Sequence, residues 1–330
     1  MSTSPTTVEP LPFEGPILEL ENKIRELKEL SDGKLLDLGP EIEKLSEKLN
    51  ALRQQTYSKV SAWEVTQIAR HPQRPYTLDY IRAMFTDFVE MHGGRQFYDD
   101  SSIVGGMARF QGEPVVVIGH EKGRGTEEKI FRNFGMPHPE GYRKALRLMQ
   151  FANKFGRPLI LFIDTPGAYP GKEAEERGQG EAIARNIFEM SFLQVPIIAI
   201  VIGEGGSGGA VALGVGDKVL MLQHSIYSVI SPEGCASILW KEVSHSKDAA
   251  NAMKITSENL KELGVIDEII PEPLGGAHRD IEKTYSNVSA AIAKNLEELK
   301  TVSGKVLVQR RFDKYSRMGV FLEEGANASA

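Results

Sequence analysis

The stretch VPIIAIVIGEGGSGGAVALGVGDKVLML (residues 195–222) decides how the rest of the chain is read. An apolar run suited only to a buried strand passes into GEGGSGG, where five of seven residues are glycine, and a second apolar run follows almost at once. Glycine in that density asks what comes so close to the main chain that side chains are excluded. Gly203, Gly205 and Gly208 satisfy G-x-G-x-x-G, but Gly214 and Gly216 cut the next helix to about two turns, and Gln223, His224 and Ser225 stand where a ribose-binding acid belongs. A phosphate-binding P-loop needs Lys and Ser or Thr after its last glycine, and Gly209 and Ala210 stand nearby instead. What remains is a strand end opening into a short helix whose first amides suit an anion or a developing oxyanion.

Outward from this loop the pattern repeats. LILFIDTPGAYPG also runs a buried strand into a glycine- and proline-punctuated turn ahead of a helix, and YSVISPEGCASILW runs a strand into a helix with Pro232 in its first turn. IVGGMARF and PVVVIGHEKG read as strands around the turn residues Gln111 and Gly112. Continuously apolar strands alternating with the helices GYRKALRLMQFANKFG and about 180–193 predict an α/β sheet covered on both faces. The two glycine loops then open on the same sheet edge and define a cleft.

The flanks are helical. Ile17, Leu20, Ile24 and Leu27, then Ile42, Leu45, Leu49 and Leu52, give a helical hairpin whose second arm is expected to continue past Trp63 and Ile68 until Pro72 and Pro75. TLDYIRAMFTDFVEMHG reads as one helix, and Ile281, Tyr285, Val288, Ile292, Leu296 and Leu299 mark a last amphipathic one. Lys305, Arg310 and Arg311 read as solvated surface. The division expected is a disordered start (1–16), a helical region (17–75), the main domain (76–272), a C-terminal helical region (273–322) and a disordered tail (323–330).

Composition narrows the function classes. A net charge of −6 over 330 residues carries no nucleic-acid footprint, and no apolar run is long enough to span a bilayer. The start has neither the basic nor the apolar region of a secretory signal, and the single cysteine, Cys235, leaves no disulfide framework or cysteine zinc ribbon in the chain. A cytoplasmic protein is expected. Cys235 reads as a small core residue, and the seven histidines show no ligand spacing.

The segments HPQRPYTLDYI, RNFGMPHPEGYRKALRLM, FIDTPGAYPG, EERGQGEAIARN, VIGEGGSGGA, VGDKVLML, YSVISPEGCASILW and IIPEPLGGAHR, in this order, resemble the alpha-subunit family of bacterial-type acetyl-coenzyme A carboxylase carboxyltransferases. That resemblance implies a crotonase/ClpP-like fold of repeated ββα units, here with an N-terminal helical hairpin and a C-terminal helix. It implies transfer of a carboxyl group from carboxybiotin, tethered to a biotin carboxyl carrier protein, to acetyl-coenzyme A, giving malonyl-coenzyme A for fatty acid synthesis. The implied partners are a beta subunit carrying the coenzyme A half-site and a zinc ribbon, in an alpha2beta2 assembly, and biotin carboxylase. No metal is implied in this chain. Backbone amides would bind the ureido oxygen of biotin as charge gathers there, and the biotin nitrogen would take the acetyl proton, so no side-chain base is required.

Carried over by position, the oxyanion role falls to Gly206, Gly208 and Gly209, with the donating pair left open. Gly205, Ser207, Gly167, Ala168 and Tyr169 are the expected biotin-cleft walls. Arg132 and Arg143, with Lys129 and Lys144, are candidates for the coenzyme A phosphates, or a basic face meeting an acidic partner. Asp164 is expected to cap its turn and Glu204 to face away from the loop. Arg177 and Gln179 either orient the transferred carboxylate or pair at the surface with Glu175 or Glu176. Ser231, Pro232 and Glu233 are expected to start a helix. An inactive scaffold subunit and an acyl-coenzyme A hydratase or hydrolase remain alternatives.

Overall fold

The computed structural model describes residues 10–33 and 38–319. Eight strands form one sheet: β1 (Phe85–Glu90), β2 (Ile103–Phe110), β3 (Glu113–His120), β4 (Leu159–Thr165), β5 (Ile197–Gly206), β6 (Lys218–Leu222), β7 (Ile226–Ser228) and β8 (Glu268–Ile270). The order is β1-β2-β3-β4-β5-β6-β8, with β7 paired to the far end of β5. β1–β2 and β2–β3 are antiparallel, and the remaining pairs are parallel. Gln111 (φ 50°) and Gly112 (φ 85°) close the β2–β3 hairpin with the two positive φ angles that match strand twist.

Strand periodicity sends alternate residues to two cores. Leu161, Ile163, Ala199 and Val201 face Leu148, Met149 and Ala152 of the helix Pro139–Phe155 and Met190 of the helix Gln179–Phe192. Ile160, Phe162, Ile198, Ile200 and Ile202 face Tyr80 and Ile81 on one side of the chain and Val288, Ile292 and Leu296 of the helix Ile281–Lys300 on the other. Both faces being covered explains why β4 has no polar alternation. Pro139 starts its helix at the first position, where its missing N–H costs nothing, and Gly156 ends it in the left-handed conformation.

Several expectations change. The helix from Thr77 stops at Met84, because Phe85–Glu90 pairs with β2 across a register shift and Val89 comes against the backbone of Gly106. The second hairpin arm ends at Tyr57; Ser61 then caps a separate helix, Ala62–Ala69, in a reciprocal box with Glu64. The ordered chain begins before residue 17: a helix starts at Gly15, and Glu14 is buried, accepting from the Tyr57 hydroxyl and from Arg279 Nη2 at 2.5 Å. A further helix, Gly304–Ser316, follows the last expected one. It buries Arg311, which is 1% exposed and paired with Asp217 where solvated surface was expected. Cys235 is half-buried rather than a core residue. Residues 1–9 and 320–330, and with them the expected disordered tail, lie outside the described residues.

Candidate active site

β4 and β5 are parallel neighbours and pair as far as Thr165 with Gly205, so the loops that follow them lie side by side at the carboxyl edge of the sheet. Their backbones touch. A β-carbon on Gly206 would stand 2.2 Å from the Pro166 carbonyl oxygen, and one on Gly209 would stand 2.6 Å from the Gly167 carbonyl carbon. One on Gly205 would meet the Tyr227 ring at 2.7 Å, and one on Gly203 would meet Asp164 Oδ1 at 2.4 Å. The question raised by the glycines has a divided answer: at four positions the main chain is approached by the protein itself. Gly208 differs, because its β-carbon would meet only Ile183, at 3.4 Å.

Ser207 opens the helix Ser207–Val211 with φ 52°, a left-handed angle that turns the chain sharply from strand to helix. The amides of Gly208 and Gly209 belong to its first turn, where an α-helix offers no intrahelical acceptor, and no side chain or loop carbonyl of the described residues accepts from them; the Ser207 amide adjoins the Gly206–Ser228 ladder pair. Gly206, Ser207 and Gly208 are half-buried while Gly205 and Gly209 are buried, so the start of the helix forms a rim reachable from outside. Gly206 itself is tied into the strand ladder opposite Ser228. Two apolar cavities, of about 390 and 410 Å³, flank the helix at Val211, and neither is lined by Gly205 to Gly209.

Beside the rim lies a charge network, centred on buried Asp164 and Glu204, that residue patterns did not reveal. Lys122, just after β3, reaches Asp164 Oδ1 at 2.7 Å and Glu204 Oε2 at 3.0 Å. Arg70 reaches Glu204 Oε1 at 2.6 Å and Glu233 Oε1 at 2.5 Å. Asp164 Oδ1 also accepts the Glu204 amide at 2.9 Å. Burial disfavours the Glu204 carboxylate, but Lys122 and Arg70 outweigh it and hold its pKa below the ordinary value. Burial likewise works against the Lys122 ammonium, and the two carboxylates override it. Glu204 is therefore committed as an ion-pair partner, and its lowered basicity makes it a poor general base. The available signal was HEKGRG, a charged cluster directly after an apolar strand.

The other expected site residues sort as follows. Gly167 and Ala168 abut the glycine loop, whereas the Tyr169 ring stacks on His138 at 4.1 Å and its amide donates to the Pro137 carbonyl at 3.0 Å. Gln179 Nε2 donates to the Pro137 and Tyr169 carbonyls, at 2.8 and 2.9 Å, and so braces this wall. Arg177 pairs with Glu140 at 2.8 Å, not with Glu175 or Glu176. Arg132 donates to Glu128 and the Ser101 carbonyl, and Arg143 to the Arg177 carbonyl at 2.6 Å. Lys144 is buried against Asp99 and the Asp100 carbonyl. Ser231 and Pro232 start the helix Pro232–Leu239, Ser231 capping it through the Gly234 amide. Among the described residues no cluster could hold a metal ion, and no helix is long and apolar enough to cross a membrane.

A family model described as acetyl co-enzyme A carboxylase carboxyltransferase-like matches residues 10–319. Curated relatives called acetyl-coenzyme A carboxylase carboxyl transferase subunit alpha include that of Bacillus cytotoxicus, 60% identical over 309 residues, 94% of this chain and 95% of the relative. That of Thiobacillus denitrificans is 58% identical over 316 residues, covering 96% and 98%. Among solved structures, a transcarboxylase 12S chain superposes with a TM-score of 0.57 at 19% identity, over 78% of this chain and 45% of its own length. A Pseudomonas malonate decarboxylase hetero-tetramer chain superposes with a TM-score of 0.53 at 15% identity, over 66% of this chain and 88% of its own. At such identities the likeness is one of fold, and it is the crotonase-like α/β fold. The close relatives, matched almost end to end, carry the assignment further: this chain belongs to the alpha-subunit family of the acetyl-coenzyme A carboxylase carboxyltransferases, and is a carboxyl transferase subunit.

Proposed function

We propose that this chain supplies the biotin half of a carboxyltransferase site, and that its main-chain amides carry the chemistry. The observation behind this reading is the first helical turn at Ser207, where the Gly208 and Gly209 amides lack an intrahelical acceptor beside a half-buried rim and the nearby carboxylates of Asp164 and Glu204 are already paired. Amides fixed in place before the reaction stabilise a developing oxyanion without reorganising. The carboxyl group would come from carboxybiotin on its carrier protein, and cleavage of the N–CO2 bond leaves charge on the ureido oxygen. Gly208 and Gly209 donate to that oxygen, Gly205 and Gly206 keep the strand close enough to the β4 loop to aim them, and Ser207 with Gly167 and Ala168 walls the ring. Tyr169 belongs to the outer edge of that wall. The freed biotin nitrogen then takes a proton from the methyl group of acetyl-coenzyme A, and the resulting carbanion attacks the released CO2, forming the carbon–carbon bond of malonyl-coenzyme A.

The acceptor half-site, and zinc, belong to a beta subunit in this reading, with biotin carboxylase as the source of charged carrier and alpha2beta2 as the assembly. Arg132 and Arg143 keep guanidinium donors beyond those used internally, and these are proposed to meet coenzyme A phosphates. Incomplete enclosure of the glycine rim by this chain alone favours the half-site over a self-sufficient hydratase, which needs an acid–base side chain on the loop. The test is transcarboxylation from malonyl-coenzyme A to free biotin. Activity is expected only when the beta partner is mixed in; turnover by this chain alone would overturn the half-site.

A further inference from the structure

We infer that Lys122 is a positioning residue: a half-buried cationic pin that sets the spacing between the two loops of the cleft and so aims the amides of Gly208 and Gly209. The inference rests on the function proposed above for those amides. Three elements that are distant in sequence converge on this one side chain. Asp164 lies next to the end of β4, where TPGAYPG begins, and takes the ammonium at 2.7 Å. Glu204 lies near the carboxyl end of β5, where the glycine run begins, and takes it at 3.0 Å. The third is the turn at Asn133, Phe134 and Gly135, all three at positive φ (47°, 56° and 75°). A β-carbon on Gly135 would stand 2.7 Å from Lys122 Cγ, so this turn rests on the lysine stem.

The left-handed conformation is unfavourable for residues carrying a β-carbon, and such conformations persist where surrounding structure over-determines them. Asn133 and Phe134 both hold it here, and the element that Gly135 packs on is the lysine. The two carboxylates would repel one another without a cation between them, because Asp164 Oδ1 is also bonded to the Glu204 amide and neither side chain can swing to water. Arg70 cannot substitute, since it lies on Glu204 and Glu233 and has no contact with Asp164. Removing Lys122 therefore separates the walls at one point, directly below the amides.

The experiment uses the complex with the beta partner and compares wild type, Lys122→Met, Lys122→Arg and Glu204→Gln. Lys122→Met is expected to lower kcat by about 100-fold with little change in KM for biotin, because a displacement near 1 Å in the donors costs about that much. Lys122→Arg, which keeps the cation, is expected to recover most of the loss. Glu204→Gln removes one charge while keeping the shape, so it gives a smaller fall in kcat and tests the pin if Lys122→Met does not fold. Amide hydrogen exchange supplies a readout independent of turnover: peptides covering residues 164–171 and 203–211 should exchange faster in the variants, with β2 and β3 unchanged. Unchanged exchange at both loops, or equal losses in Met and Arg with KM rising alongside, overturns the pin. Looser loops in a complex whose wild type transfers no carboxyl group would support the pin and bring down the proposed function.

Discussion

Arg311 holds Asp217 through two hydrogen bonds, Nε to Oδ1 at 3.0 Å and Nη2 to Oδ2 at 2.9 Å, with side-chain exposures of 1% and 4%. The same guanidinium caps the helix Gln179–Phe192, donating to the Met190 and Leu193 carbonyls at 2.6 and 2.9 Å. Asp217 Oδ2 in turn accepts the Ile197 amide at the start of β5. Arg311→Met leaves the Asp217 carboxylate, 4% exposed, without its paired cation and is expected to cost about 3–5 kcal/mol of stability. Chemical denaturation would show it, while residual folded protein keeps the turnover of the wild type, because the pair sits at the opposite end of β5 from the glycines.

Gly208 and Gly209 should behave differently. Alanine at 208 makes only ordinary contact with Ile183, so stability should hold while the methyl group obstructs the approach to the amide; a loss of about 100-fold in kcat is expected. Alanine at 209 drives a β-carbon into the Gly167 backbone and should lower both turnover and stability, the latter by about 1–3 kcal/mol. Parallel thermal melts and transcarboxylation assays separate the two. Full activity in Gly208→Ala would remove its amide from the site.

Burial raises the Glu121 carboxyl to about 7, against the smaller opposing effect of the Leu78 amide that it accepts at 2.9 Å. A folded pKa above the unfolded 4.5 means its contribution is complete below pH 4.5 and is lost as pH rises through 7. Relative to Glu121→Gln, the wild type should therefore lose on the order of 2–3 kcal/mol across that interval. Urea unfolding of both proteins at pH 5, 6, 7 and 8 checks the sign, and a constant difference contradicts it.

Glu14 joins the first helical turn to the body of the protein through Tyr57 and Arg279. Glu14→Ala leaves the buried Tyr57 hydroxyl without its acceptor and the half-buried Arg279 guanidinium with Glu21 at 3.4 Å, at roughly 1–3 kcal/mol. A fall of several degrees in Tm is expected, with kcat in the assembled complex unchanged. An unaltered melt would return this segment to the disordered start expected from composition.

Much of the fold was legible because its signals are local. Apolar runs without polar alternation marked β4 and β5 as buried on both faces, Gln111–Gly112 marked a hairpin, and glycines at two adjacent strand ends marked the cleft. Motif order was enough to name the family. What the residues alone could not decide was wherever one segment's state depends on another distant in sequence. Phe85–Glu90 is a strand because β2 offers it a ladder, although its spacing suits a helix. Arg311 and Lys122 are polar and would be placed at the surface by type; Arg311 is buried and Lys122 half-buried because carboxylates from other elements meet them there. The glycines tell the same story, since composition said only that something approaches the main chain. Packing determined that the neighbouring loop does so at Gly206 and Gly209, and that the space over Gly208 stays open.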